Sequence, residues 1–356
     1  EFKSRQGLPN TSRPELAPRG IHGAGGEMTG AMTTAQRWKP RYAAPGASVV
    51  LAGFLALIVA LANGSQQPYV LFPELGALAS VIVQRPAGAW ARSPLLLCLT
   101  PCLTALVGVS ITRGLAYGPV SVGLDVALSI AVVRLLRSPI APALSAGMLP
   151  LALGVTSWSY PISILVGTGL LALWSRLPLA LRERLNTTAN PRQPMVEPAG
   201  EWSRASATER RHPWRWILWM VVFLGLGILL VAVTGSRLVL YPPLVVMAYD
   251  MFATPEECAW INRPVAMVLA CVGTASAGLL LVHALGVTPW AGGIAMLACL
   301  AWLGTLGLLM PPALGAGLLP FVIHAPNWSY PLAVALGTTL LAVLSQVARR
   351  ASTTQP

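Results

Sequence analysis

Residues 156–173 read TSWSYPISILVGTGLLAL, and residues 326–343 read PNWSYPLAVALGTTLLAV, 170 positions further along the chain. At this offset no gap is needed from 142 to 175, and identical residues pair, among them Pro142 with Pro312 and Gly147 with Gly317. Self-similarity at a fixed offset indicates an internal duplication. The sequence therefore predicts two units of about 130 residues each, at 46–177 and 215–347.

Composition places both units in a membrane. Of the 356 residues, 55% are hydrophobic and 10% are charged, whereas ordinary soluble domains carry about 25% charged residues. Apolar runs such as 95–111 and 217–233 are long enough to cross about 30 Å of hydrocarbon. We therefore expect an all-α polytopic membrane protein in contact with the lipid bilayer. The net charge of +12 is then a topology signal, and we predict no nucleic-acid partner.

Each unit divides into six apolar segments, which in the first copy are 46–63, 68–83, 94–112, 116–133, 139–154 and 159–175. The second and fifth are short and interrupted by Pro and Gly, so they either cross as irregular helices or re-enter the membrane from one side. Full crossing puts Arg85, Arg92, Arg134, Arg137 and Arg263 on one side and Arg113 and Arg237 on the other. The positive-inside rule favours this arrangement, with the larger group in the cytoplasm. We therefore expect about twelve segments in two parallel six-segment repeats.

Three further stretches flank these repeats. Residues 1–45 are predicted to be a disordered basic N-terminal tail, 178–214 a cytoplasmic linker and 348–356 a C-terminal tail. With twelve crossings, both termini lie on the side of the linker. We expect a multi-pass protein of the cell inner (plasma) membrane with both termini cytoplasmic.

A weaker echo links the second segment to the fifth. FPELGALA at 72–79 and APALSAGM at 141–148 share the pattern Pro-x-Leu-x-Ala. Because three segments separate them, they would run in opposite directions, as in an inverted three-plus-three repeat within each unit. In such architectures, broken helices meet near the membrane midplane and expose unpaired backbone groups to a solute or ion.

The broken segments supply the predicted substrate-binding residues. Unwound stretches at 142–150 (PALSAGMLP) and 312–320 (PALGAGLLP) would leave backbone accessible and present helix N-termini to a small anion. The alternative is a tight, proline-kinked packing element without a ligand. The candidate residues are Pro73, Glu74, Pro142, Ala143, Gly147, Pro242, Pro311, Pro312, Gly315 and Gly317.

Acidic side chains within the apolar segments are few. Each costs about 2.5–3.5 kcal/mol on insertion scales, so each needs a partner or a polar cavity. Glu74 lies in the second segment, opposite Pro243 of the second copy, and Asp125 lies in the fourth. Both are candidates for proton coupling. The structural alternative pairs Glu74 with Arg85, Arg134 or another residue.

The repeated Trp-Ser-Tyr-Pro phrase stands where the sixth segment begins. An interfacial aromatic anchor, followed by proline in the first helical turn, explains Trp158, Tyr160 and Pro161. Because both copies keep the phrase together with the broken segment before it, we expect it to hold that segment against a helix.

Other chemistry finds little support in the sequence. Motifs for hydrolysis, phosphate binding or group transfer do not appear, so we predict no enzymatic activity. The five cysteines lie mostly within apolar runs and without a Cys-x-x-Cys pair. We therefore predict no metal site and no cofactor.

Short motifs in both units resemble the HPP family of small integral membrane proteins. Met310-Pro311-Pro312-Ala313 followed by Leu-Gly-Ala-Gly is similar to the family's His-Pro-Pro-Ala-rich stretch, and LFPELGALA at 71–79 is similar to its upstream half. Met310 and Ile140 stand where the family has histidine, so no role of that imidazole carries over. Family members are usually single units described with four spans, so this chain is similar to a fused pair. The resemblance implies transport, with nitrite or a similar small anion implied for some members.

We therefore expect a membrane transporter or channel for a small solute or ion, with a small inorganic anion such as nitrite as the implied substrate. A non-transporting membrane scaffold or regulatory subunit is the alternative. Association into a homo-oligomer is compatible with either function.

The twelve-segment topology is testable with reporter fusions. A reporter inserted in the loops at 84–93 and 134–138 is expected to lie in the cytoplasm at both positions, because full crossing returns the chain to the same side. An external signal at these loops would instead support re-entrant second and fifth segments.

Overall fold

The computed structural model describes residues 45–185, 214–255, 258 and 260–353. These residues fall within one compact unit, Lys39–Pro356. The predicted N-terminal tail up to residue 44, most of the linker and the last three residues of the chain lie outside the described residues. Within the described ranges the chain forms helices and no strands.

The first half of the chain forms eight helices within its described residues. They are α1 (Pro45–Ser65), α2 (Glu74–Gln84), α3 (Ala89–Arg92), α4 (Pro94–Gly114), α5 (Pro119–Leu135), α6 (Ala143–Leu153), α7 (Ser159–Arg176) and α8 (Leu179–Leu185). A 3₁₀ turn at Pro68–Val70 precedes α2.

The second half follows a similar order. Its described helices are α9 (Arg215–Thr234), α10 (Pro242–Ala253), α11 (Pro264–Leu285), α12 (Pro289–Leu306), α13 (Pro311–Leu318) and α14 (Ser329–Thr353). Further 3₁₀ turns lie at Arg237–Leu240 and Leu319–Phe321.

Six of the described helices are long and apolar enough to cross a membrane: α1, α4, α9, α11, α12 and α14. They have 18 or more residues, and at 1.5 Å per residue such helices approach or exceed the hydrocarbon thickness of about 30 Å. This agrees with a multi-pass, all-α membrane protein. The helices α5 and α7 have 17 and 18 residues but are not among these six.

Proline and glycine mark the ends of these helices. Proline occupies the first turn of α4, α5, α11 and α12, where its missing N–H costs no helical hydrogen bond. Gly154, Gly235 and Gly307 follow α6, α9 and α12 with positive φ of 71°, 71° and 57°, the left-handed conformation that closes a helix at little cost for glycine.

Four helices, α2, α6, α10 and α13, are too short to cross alone, and we call them the central helices. They have 11, 11, 12 and 8 residues, so each spans roughly half of the hydrocarbon thickness. They lie where the sequence predicted broken segments. The prediction of unwound stretches at 142–150 and 312–320 is wrong, because α6 and α13 cover most of both.

The central helices α2 and α6 begin beside the middle of longer helices. Thr104, halfway along α4, donates a hydrogen bond from Oγ1 to the carbonyl oxygen of Ala143 at 2.6 Å. A Cβ added to Gly167, halfway along α7, would lie 2.7 Å from the Leu75 side chain. From this level α6 runs towards Gly154, which lies near Arg237. The helix α2 runs towards the loop that follows it, where the carbonyl oxygen of Pro86 accepts a hydrogen bond from Arg182. The two helices therefore start at one depth and diverge.

Each half contributes helices that pack against helices of the other half, and we call this arrangement the exchange of helices. The helix α1 packs on α12, and α2 packs on α13. In the reciprocal arrangement, α9 contacts α5 and α10 packs on α6. This exchange brings all four central helices to the contact between the halves.

The helices α6 and α13 each pack closely against a long helix, at a point where both helices have a glycine. A Cβ added to Gly108 of α4 would collide with the carbonyl oxygen of Gly147, and one added to Gly278 of α11 would collide with that of Gly317. Only glycine permits this approach, in which the helix backbones touch without intervening side chains.

A methyl group at Gly108 tests this close packing. We expect Gly108→Ala to destabilise the protein by about 1–3 kcal/mol, because the backbone of α6 has to move aside. Thermal unfolding in detergent measures the effect. Gly225→Ala is the matched control, since a Cβ there meets nothing within 4 Å. Equal stability of the two variants would contradict the packing argument.

Candidate functional site

The four central helices converge on one carboxyl group. Glu74 is the first residue of α2, and Ser145 is the third residue of α6. A Cβ added to Gly315 of α13 would lie 3.6 Å from the carboxyl carbon of Glu74 and 3.1 Å from Cγ of Pro243 in α10. All four central helices therefore meet at this point, at the level where α2 and α6 begin.

The Glu74 carboxyl group is buried between the two halves. Its exposed fraction is 1%, and its Oε1 accepts a hydrogen bond from the Ser145 hydroxyl. Its Oε2 has no hydrogen-bond partner among the described residues. Ser145 and Gly315 occupy equivalent positions at the 170-residue offset, so Glu74 lies between matching points of the two halves.

Of the partners considered for Glu74, neither Arg85 nor Arg134 pairs with it, and another residue, Ser145, does. Glu74 begins α2 and Arg85 follows its last residue, so the helix separates them by about 16 Å. The guanidinium group of Arg134 lies 4.8 Å from the ring centre of Trp216. Within the described residues, the side chain that binds the Glu74 carboxyl group is a neutral serine.

Unpaired backbone groups were expected where the central helices begin, and the structure corrects this as well. The amide of Leu75 donates to the carbonyl oxygen of Phe72 at 2.8 Å, and the amide of Ser145 donates to that of Pro142 at 3.1 Å. The starts of α10 and α13 close in the same way. These short-range bonds satisfy the amides locally, so recognition of an anion there would depend on the helix dipoles.

Asp125, on α5, is a second buried acidic residue, and it lies against α6. It is fully buried, and neither carboxyl oxygen has a hydrogen-bond partner within the described chain. A Cβ added to Gly147 would lie 3.0 Å from Oδ1 of Asp125 and against the Ser129 hydroxyl, which is also without a partner there. Glu74 and Asp125 therefore contact the same helix two residues apart.

The ten predicted binding residues are all buried, but they do not form one cluster. Glu74 and Gly315 meet directly. Pro73, Pro142, Ala143, Pro242, Pro311 and Pro312 lie at the starts of the central helices. Gly147 and Gly317 pack against α4 and α11 instead, as the close approach of those helices requires.

Ser145 was not among the predicted site residues, and the two repeated tyrosines were predicted only as part of the anchoring phrase. The hydroxyl of Tyr160 donates to the carbonyl oxygen of Ala146 at 2.8 Å, and that of Tyr330 donates to Ala316 at 2.5 Å. Both tyrosines are buried, so the interfacial interpretation is wrong for Tyr160, whereas 48% of Trp158 is exposed. These bonds agree with the predicted role of the phrase in holding the short helix.

No protein-family model, no curated protein and no solved structure matches this chain. The described residues also contain no group of three His, Cys, Asp or Glu side chains that could hold a metal ion. The fold and the site together define a helical, multi-pass membrane protein with a carboxyl group buried between its halves.

The Ser145–Glu74 hydrogen bond can be measured by a double-mutant cycle. We expect Ser145→Ala to destabilise the protein by about 1–3 kcal/mol, because both carboxyl oxygens then lack a hydrogen-bonding side chain. Thermal unfolding in detergent of Ser145→Ala, Glu74→Met and the double variant gives the coupling energy, because methionine removes the carboxyl acceptor at similar side-chain length.

Ser110→Ala is the control for this cycle. Ser110 donates a hydrogen bond to Leu106 within its own exposed helical turn, so its loss is expected to change stability by less than about 0.5 kcal/mol. Additive effects of Ser145→Ala and Glu74→Met would contradict a direct interaction.

Proposed function

We propose that the protein is a membrane transporter for a small inorganic anion such as nitrite, and that Glu74 binds a proton that accompanies the anion. The path passes the starts of the central helices, between two duplicated six-segment units that together cross the membrane twelve times. The resemblance of both units to the HPP family supports this assignment.

The observation that carries the proposal is the environment of the Glu74 carboxyl group. An acid with 1% exposure and one oxygen unpartnered among the described residues is costly in an apolar interior unless it is neutral or has a function. Acids in such positions mark ion and proton pathways in membrane proteins. Glu74 also lies between the halves, where a relative movement of the halves changes its surroundings.

Helix dipoles connect proton binding to anion binding. Each helix N-terminus carries a positive partial charge of about half an elementary charge, and the first turns of α2, α6 and α10 lie around Glu74. An ionised Glu74 neutralises this positive field and repels a second anion. When Glu74 is protonated, it does not neutralise the positive field of the helix ends, and this field attracts the anion. One proton and one anion therefore enter the site together.

One observation favours the alternative of a non-transporting membrane scaffold or regulatory subunit. All ten predicted binding residues are buried, and α6 and α13 pack on their neighbours through glycines that leave no space for a side chain. A scaffold needs only this packing. It predicts a stable partner protein and no flux.

Uptake by proteoliposomes distinguishes these functions. With one proton per anion, a gradient of one pH unit supports about a tenfold accumulation of nitrite. We expect Glu74→Gln, which mimics the protonated acid, to keep nitrite exchange but to lose accumulation driven by the pH gradient.

Two controls accompany this measurement. Protein-free vesicles give the passive leak of neutral nitrous acid through lipid. Ser110→Ala, which changes an exposed side chain bonded within its own helical turn, is expected to transport like the wild type. Protein-dependent nitrite flux that is absent at every pH would contradict the transporter proposal and favour the scaffold.

A further inference from the structure

Three consecutive residues of α6 contact three different ionisable groups. The Ser145 hydroxyl donates to Glu74, the carbonyl oxygen of Ala146 accepts from Tyr160, and Gly147 lies against Asp125. The Tyr160 hydroxyl is also within electrostatic range of both carboxyl groups. The middle of α6 therefore connects the two buried acids of the first half.

Asp125 has the features of a proton-binding group rather than of a structural one. Its exposed fraction is 0%, and neither oxygen is hydrogen-bonded within the described residues. The nearby Ser129 hydroxyl is buried and equally without a partner there. A structural acid would bind these donors or a cation, because an unsatisfied buried charge is costly.

The neighbouring helices offer little charge to compensate Asp125 or Glu74. Asp125 is on α5, which packs against α4, α6 and α9, and Glu74 is on α2, which packs against α1, α3, α7 and α13. No ionisable side chain occurs in α1, α6 or α13. The helices α3, α4, α5, α7 and α9 do contain further ionisable residues. These are Arg92, Cys98, Cys102, Arg113, Arg134, Tyr160, Arg176 and Arg215. Tyr330 of α14 is also within electrostatic range of Glu74.

Most of these arginines act elsewhere. Arg113 donates to the carbonyl oxygen of Thr156 at 2.8 Å, and Arg215 donates to that of Ala351 at 3.2 Å. Arg134 stacks on Trp216. Tyr160 remains as the group that lies near both acids.

We propose that Asp125 is a second proton-binding site, coupled to Glu74 across α6 with Tyr160 as the positioning residue between them. The inference rests on the proposed function, in which Glu74 binds a proton. It adds Asp125 as the group that exchanges this proton with Glu74. A proton released from Glu74 is retained within the first half when Asp125 is ionised, and ionising one acid opposes ionising the other.

The second half lacks these groups at the equivalent positions. At the 170-residue offset, Ala295 replaces Asp125, Cys299 replaces Ser129 and Gly315 replaces Ser145. Tyr330 nevertheless keeps its bond to Ala316. The proposed pair of acids is therefore confined to the first half, and Tyr330 provides a matched control for Tyr160.

Infrared titration of the protein reconstituted in lipid tests this inference without any solute. Asp125 and Asp250 are the only aspartates in the chain, so ¹³C-carboxyl aspartate labels just two side chains. We expect a labelled carbonyl band of a protonated acid at neutral pH that Asp125→Asn removes and Asp250→Asn retains.

Coupling is read from the unlabelled Glu74 band. In Asp125→Asn, the midpoint of the Glu74 titration is expected to move to lower pH by about one unit, because the negative charge that Asp125 acquires as the pH rises no longer opposes ionisation of Glu74. Tyr160→Phe is expected to reduce this response, whereas Tyr330→Phe leaves it unchanged.

Two results would overturn the inference. One is an Asp125 that is ionised at neutral pH in the labelled wild type, a measurement that requires no variant to fold. The other is a Glu74 midpoint that does not move in Asp125→Asn. Both are distinct from a failure of the proposed function, which is an absence of nitrite uptake.

Discussion

The contact between Glu74 and Ser145 determines much of what this molecule can do. It joins the first turn of α2 to the first turn of α6, two helices that start at the same level and run to opposite ends of the bundle. Among the described residues, the side chain that binds this carboxyl group is the neutral Ser145, and the carboxyl carbon lies against Gly315 of the second half. The group is therefore fixed to the first half while its environment depends on the second.

The packing around this contact depends on small residues. Gly147 and Gly317 admit the neighbouring helix backbone, and Thr104 anchors the start of α6 through its hydroxyl. Tyr160 and Tyr330 bind carbonyl oxygens of α6 and α13 through their hydroxyl groups. The helices α6 and α13 are short and contain several small residues. Their neighbours position them, because a helix of this length has little stability by itself.

Sequence reasoning located the broken segments and Glu74 but misjudged their conformation. Pro142, Pro311 and Pro312 suggested unwinding, yet they occupy the N-cap or first turn of a helix, where proline is well tolerated. Ser145 could have been found as the one position of PALSAGMLP where the second copy replaces a hydroxyl by glycine. The partner of Glu74 is set by helix packing, which periodicity alone does not reveal.

The exchange of helices between the halves has a consequence for biosynthesis. The helix α1 packs on α12, which begins at Pro289, more than 200 residues after α1 ends at Ser65. A ribosome delivers the first helices to the bilayer long before their contact surfaces exist. The nascent chain must therefore wait in lipid, or beside an insertion factor, with the Glu74 side chain not yet enclosed by α13.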